Sequence, residues 1–247
     1  MRASLAILLL LSIVRSGAVH GQEEVVVPGT VSCAACRIEL QRVASLGRLA
    51  DDVAVHPLTS LAMDSDGRFY VGSTYNEGEL AMYDADGTLL RSFGRPGQGP
   101  GEFDRRLMRL VVGPGDSIHV FQAYRHWILL PGLEGFVRFH YLPTSVVSAV
   151  ALHEALVVTP MPTGASDSAD LYRVFDGAGE LIRSFGSHEA AGVEADYSGL
   201  RYLTAASDST FWASHVNRPQ IELWDLRGRR LTTVVLDLDW FKPWMTS

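Results

Sequence analysis

The chain has 247 residues, 47% of them hydrophobic, and a formal net charge of −7. Lys242 is its one lysine and no segment gathers arginines into a stripe, so the acidic surface repels a phosphate backbone and nucleic acid is excluded as a partner. This length suits one large all-β domain or two small ones.

Taken in chain order, the first element reads as a secretory leader. Arg2 supplies the positive start, Leu5 to Val14 form the apolar run, and Ser16, Gly17 and Ala18 are small. Cleavage is expected after Ala18 or Gly21, giving a leader of residues 1–21. The run is too short to span a bilayer, and no later segment is long and apolar enough to be a membrane helix. Loss of Arg2 and Arg15 moves the formal charge from −7 to −9. The expected location is outside the cytoplasm, periplasmic or secreted.

Residues 22–36 form an extension that carries both cysteines, Cys33 and Cys36, in the order Cys-Ala-Ala-Cys. In an oxidising compartment a local disulfide is the simplest reading. Covalent haem attachment needs a His at position 37, which is Arg37, and a zinc site needs two further ligands. A redox pair would need a βαβ setting, whereas Arg37 to Leu46 has strand character.

From there the chain repeats. Met82 to Gly94, Leu130 to Tyr141, Val174 to Gly186 and Leu223 to Val235 each place a glycine at a turn and a strand after it. The turn glycines, Gly87, Gly135, Gly179 and Gly228, are separated by 48, 44 and 49 residues. Leu/Ile-Arg-Ser-Phe-Gly occurs at 90–94 and again at 182–186. A second hairpin precedes each: Leu61 to Val71, Leu110 to Phe121, Val147 to Val158 and Tyr202 to Trp212. Asp-Gly and Gly-Asp between β-branched runs are hairpin signals, because both residues tolerate positive φ. No segment sustains a 3.6-residue apolar period, so helices are expected to be scarce. Four antiparallel strands per repeat predict an all-β chain folded as a β-propeller. The blades fall at about 58–94, 107–142, 146–186 and 200–238 within a domain of residues 37–247.

Between the first two repeats lies Phe93-Gly94-Arg95-Pro96-Gly97-Gln98-Gly99-Pro100-Gly101-Glu102-Phe103. With Asp64 to Val71 and Met82-Tyr83-Asp84, this resembles the NHL repeat, in which Phe-Gly ends a strand and a Gly-rich loop leads to Phe. The resemblance implies an exported six-bladed propeller of bacterial type. It weakens in the second blade, where Pro131-Gly132 replaces aromatic-Asp. The segment Arg37 to Gly47 resembles an outermost blade strand with no blade to join. The expectation is therefore a C-terminally truncated ring lacking two further blades.

Loops joining second and third strands open on the same face as the blade crossings. Ser73, Gln122 and His215 align at the end of the second strand. Candidate binding residues on that face are Tyr75, Arg95, Gln98, Gln122, Tyr124, Arg125, His126, His215, Asn217 and Arg218. Eight histidines show no metal-binding spacing, no Gly-x-Ser-x-Gly elbow occurs, and the Asp-x-Asp-Gly segments suit turns and not calcium. No catalytic residue, metal or cofactor is assigned. The leading expectation is a non-enzymatic propeller binding a protein, peptide or glycan. The alternative is a metal-dependent hydrolase or lyase with an axial site.

Overall fold

The computed structural model describes residues 23–29, 37, 39–46, 60–72, 79–103, 108–161, 170–187, 200–239 and 241. The leader, the cysteine pair, Ser73 and Tyr75 lie outside the described residues. After an N-terminal strand, β1 (Glu23–Pro28), four antiparallel sheets follow in sequence. The first holds β2 (Ser60–Met63), β3 (Phe69–Gly72), β4 (Leu80–Tyr83) and β5 (Leu89–Phe93). Two short parallel strands, β6 (Arg95–Pro96) and β7 (Glu102–Phe103), make the crossing. The second sheet holds β8 (Met108–Val112), β9 (Ile118–Gln122), β10 (Arg125–Leu129) and β11 (Phe136–Tyr141). The third holds β12 (Val146–Ala151), β13 (Ala155–Pro160), β14 (Asp170–Asp176) and β15 (Leu181–Ser187). The fourth holds β16 (Arg201–Ser207), β17 (Thr210–His215), β18 (Gln220–Asp225) and β19 (Arg230–Asp237), with β1 added in parallel along β19.

Each sheet is a plain up-and-down meander. Four of the turns are closed by aspartates: Asp64, Asp84, Asp176 and Asp225 each accept at Oδ1 the backbone N–H groups two and four residues on. The glycine of each such turn sits at positive φ, +81° at Gly67 and +82° at Gly228. The second sheet departs from this. Its outer turn is a short 3-10 segment, Pro131–Leu133, with Gly132 and Leu133 at positive φ, and Gly135 is not in that conformation.

The sheets stack face to face, and the core lies in the seams between them. Tyr70, Leu80 and Met82 of the first sheet meet Leu110, Ile118, Val120, Trp127 and Leu129 of the second. Val111 and Phe121 meet Leu156, Val158 and Phe175 across the next seam. Val157, Tyr172 and Val174 meet Phe211, Ala213 and Trp224 across the last. Neither face of a middle strand is free, so every side chain of β4, β9 and β13 is buried. This explains why those strands carry apolar residues on both faces, with His119, Gln122 and Thr159 as buried polar exceptions. The inner strands are neighbours in turn, β2 beside β8, β8 beside β12 and β12 beside β16, so the sheets are arranged as successive blades.

The segment expected as a lone outer strand makes no strand pairing over 39–46. Ser45 and Leu46 nonetheless cover Gly87 of the first blade's outer turn, where Phe185 covers Gly228 and His140 covers Gly179 in later blades. The chain thus occupies the place of a preceding blade's outer strand without its ladder.

Candidate functional site

Within each blade the second strand ends on the side where the fourth strand crosses to the next blade. Gln122 and His215 close β9 and β17 on this loop face, and both side chains are buried. The candidates do not form one patch. Arg95 is exposed and pairs with Glu102 at 2.6 Å. The N–H groups of Gln98 and Gly99 donate to the same carboxylate at 3.0 and 2.9 Å. The Gly-rich loop therefore cradles an anion of its own chain, and those hydrogen bonds, that of Gly99 foremost, hold Glu102 below the usual carboxylate range. Tyr124 is exposed on the two-residue turn after β9, and the Arg125 guanidinium lies 5.8 Å from the Trp127 ring centroid. His126 turns inward and is fully buried between the second and third blades. Asn217 is buried and Arg218 exposed beside His215.

The residues that converge lie in the seam between the third and fourth blades. Arg201 opens β16 opposite His215 in the ladder, and Ala213, two residues before His215, faces Glu222 of β18. All three therefore point toward β14, where Tyr172 is fully buried. Glu222 Oε1 accepts from Arg230 at 2.8 Å and from Gln220 Nε2 at 3.0 Å, and Oε2 accepts from Trp224 Nε1 at 3.1 Å. Burial opposes ionisation of Glu222, but the nearby His215 imidazole and the hydrogen bonds from Arg230 and Trp224 outweigh it and hold the carboxyl at about 2. Arg201 donates to the Leu200 carbonyl at 3.1 Å, and its own carbonyl accepts from Thr159 Oγ1 at 3.2 Å.

His215 is the unusual member. Its side chain is 3% exposed, and Nε2 lies 3.5 Å from Glu222 Oε1, too far for a strong hydrogen bond. Neither ring nitrogen has a hydrogen-bond partner. Burial lowers its pKa; Glu222 works the other way, while the charges of Arg201 and Arg218 lower it further. Because Glu222 is an ionised acceptor, the neutral imidazole turns Nε2–H toward it and leaves Nδ1 as a buried lone pair. Burial also pushes the Tyr172 phenol up, so it stays an unionised donor.

A second polar cluster fills the seam between the second and third blades. Ser117 Oγ donates to the Pro114 carbonyl at 2.9 Å, so the His119 Nε2–H donates to Oγ at 3.0 Å. His119 Nδ1 then accepts from His126 Nε2–H at 2.9 Å. His126 is left with Nδ1 buried and unpartnered, stacked on Phe121 at 4.3 Å. His140, 5.7 Å from His126, donates to the Ala178 carbonyl at 3.2 Å. Burial first, and mutual repulsion second, lowers His119 to about 4 and His126 to about 2. Among the described residues no group of three or more His, Cys, Asp or Glu side chains is placed to hold a metal ion.

Tyr172, Arg201 and Glu222 were not among the sequence candidates. The available signal is Glu222 itself, a carboxylate sharing strand parity with Gln220 and Trp224 between the apolar Ile221 and Leu223.

No protein-family profile and no curated protein matches the sequence. Solved structures do. A protein from Bacteroides fragilis described as exported aligns with a TM-score of 0.63 at 13% identity, over 87% of this chain and 60% of its own. A streptogramin B lyase aligns at 0.51 and 13% identity, over 70% of this chain and 52% of its own. Virginiamycin B lyase from Staphylococcus aureus aligns at 0.51 and 14%, over 72% and 55%. The chain thus spans between half and two thirds of their length. At these identities the likeness concerns architecture alone. Four-stranded antiparallel sheets packed seam to seam, aligned with these structures, make the chain a β-propeller.

Proposed function

We propose that this chain is an exported, non-enzymatic propeller that binds a peptide, protein or glycan on its loop face, anchored at the seam between the third and fourth blades. One observation carries the reading: His215, at the loop-face end of β17, is buried beside an ionised carboxylate with both ring nitrogens unpartnered. A buried polar group without a partner costs about 1–3 kcal/mol, a cost that a bound ligand removes. Arg218 and Tyr124, exposed on the turns after β17 and β9, extend the surface beyond that anchor. The apolar leader at 5–14 and the exported description of the Bacteroides fragilis protein support export.

The test is a screen of the mature chain against peptide and glycan arrays, with hits re-measured by calorimetry on His215→Gln and Arg218→Ala. Binding that weakens in both variants supports the reading. Hits indifferent to both, or none at all, overturn it. The His215–Glu222 pair also favours a second reading, since an imidazole beside an ionised carboxylate can exchange protons with a substrate. A hydrolase or lyase of this kind predicts a stoichiometric divalent ion in the purified full chain; a metal-free and catalytically silent protein rules it out.

A further inference from the structure

We propose that the seam between the third and fourth blades receives a carboxylate group of the ligand, and that His215 takes up one proton as that group binds. This rests on the loop-face reading above and specifies its chemistry.

Several elements bring charged and polar side chains to the seam around His215. Glu222 comes from β18, Arg201 from β16 and Arg218 from the turn after β17; behind them Tyr172 of β14 meets Arg201 and Glu222, and Arg230 of β19 reaches Glu222. Glu222 is the single acid in this set, and its two oxygens already accept from Arg230, Gln220 and Trp224. It is a fixed part of the wall, saturated from within. Tyr172 brings an unionised O–H and Arg218 an exposed cation. The remaining contribution is the Nδ1 edge of His215, buried and without a partner.

Two kinds of group could meet that edge. A ligand donor would pair with the neutral imidazole, but a cationic donor would face Arg201 and Arg218. An anion meets the cations favourably, accepts from the Tyr172 hydroxyl, and meets His215 as an acceptor once the ring is protonated. Burial first, and then the charges of Arg201 and Arg218, hold the proton off in the free protein. An anion beside the ring reverses that balance, since an opposite charge within a few ångströms favours the charged form. His215 then lies between two carboxylates, that of Glu222 at Nε2 and that of the ligand at Nδ1. The proton comes from solvent, and no covalent bond changes. The planar two-oxygen geometry of a carboxylate suits a hydroxyl and an imidazolium side by side.

The test uses the full mature chain with histidine labelled for NMR, titrated with sodium acetate against sodium chloride at equal ionic strength, between pH 5.5 and 7.5. Acetate is expected to shift the His215 ring signals saturably and to raise its pKa, while chloride leaves both unchanged. Over the interval between the free and bound pKa values, the acetate Kd falls about tenfold per unit drop in pH. Tyr172→Phe weakens acetate roughly three- to tenfold with the pH slope intact, and His215→Gln abolishes the slope. Two further pairs identify the source of the carboxylate: an N-acetyl dipeptide acid against its amide, and galacturonate against galactose. If acetate and chloride act alike on His215, or binding is independent of pH, the proposal fails. Should array ligands still depend on His215 in that case, loop-face binding survives and only the carboxylate chemistry is lost. Should they not, both fall.

Discussion

Asp176 illustrates how much a single side chain does in this fold. Its Oδ1 accepts the N–H groups of Ala178 and Glu180, both at 2.9 Å, and so closes the third blade's outer turn. Asp176→Ala strips two donors of their acceptor and is expected to cost about 1–2 kcal/mol in urea unfolding, whereas Asp176→Asn keeps an acceptor oxygen and loses less. The buried histidines make a different residue-scale prediction. His119 and His126 have folded-state pKa values lowered to about 4 and about 2, against an unfolded value near 6.5. Below pH 6.5 the unfolded chain therefore binds protons that the folded chain refuses. Their contribution is complete above pH 6.5 and is lost as pH falls toward the folded values. Each unprotonated ring adds about 1.4 kcal/mol per pH unit to the slope, so the pair gives about 2.7 between pH 6 and 4.5. His126→Phe is expected to reduce that slope by about half, whatever it does to stability at pH 7.5. Equal slopes in the two proteins would show that the ring is not buried neutral.

At the scale of the strand and turn, the same positions repeat from blade to blade. Arg91, Arg138 and Arg183, on β5, β11 and β15, each donate to carbonyls in the next blade's outer turn. Two of these lie in the repeated Leu/Ile-Arg-Ser-Phe-Gly, so the motif that marked the repeat in the sequence also joins one blade to the next. Gly228 and Gly67 separate two costs that such turns carry. Both have φ near +80°, but a Cβ on Gly228 would lie 2.8 Å from the Phe185 ring, while one on Gly67 would lie 4.0 Å from its nearest neighbour, Ala85. Gly67→Ala should cost about 1 kcal/mol for conformation alone. Gly228→Ala adds about 1–3 kcal/mol of overpacking, and the difference in urea midpoints reads that contact directly. The repeated turns and the four-strand unit were legible because turn chemistry is local: Asp and Gly at fixed offsets require nothing from elsewhere in the chain. Gly135 does lie in the second blade's outer turn, but the positive φ there falls at Gly132 and Leu133, which Pro131-Gly132 supplies. The polar seam was legible only in part. His215, Asn217 and Arg218 follow from the end of a strand, but Tyr172 and Arg201 require knowing which strand lies across the seam. In a sheet buried on both faces, alternation no longer marks an inside, so Glu222, between Ile221 and Leu223, does not announce which neighbour it serves. His126 shows the same limit, since its place at the start of β10 suggested a loop and its ring points into the seam.

For the molecule as a whole, the consequence of placing the core in seams is that no blade owns its interior. Phe211 belongs to β17, yet its ring lies 5.2 Å from Tyr172 on β14 and 6.4 Å from Phe185 on β15, and it is fully buried among residues of both blades. Phe211→Ala opens a void of aromatic size, expected to cost about 3–5 kcal/mol. If each blade were a self-contained unit, the added hydrogen exchange would be confined to the fourth blade. Shared seams predict instead that amides of β13 and β14 lose protection together with those of β17 and β18, as a contiguous opening unit. The seam between the first and second blades is a separate apolar cluster built on Tyr70 and Trp127, and coupling should weaken with each intervening sheet. Amides of β3 and β4 should accordingly keep near-native protection under conditions where the fourth blade exchanges freely. Trp127→Ala supplies the mirror experiment: β3, β4, β9 and β10 open, while β17 and β18 are spared. Exchange confined to the mutated blade in both variants would mean that the strands hold their own sheets together and that packing across the seams contributes little.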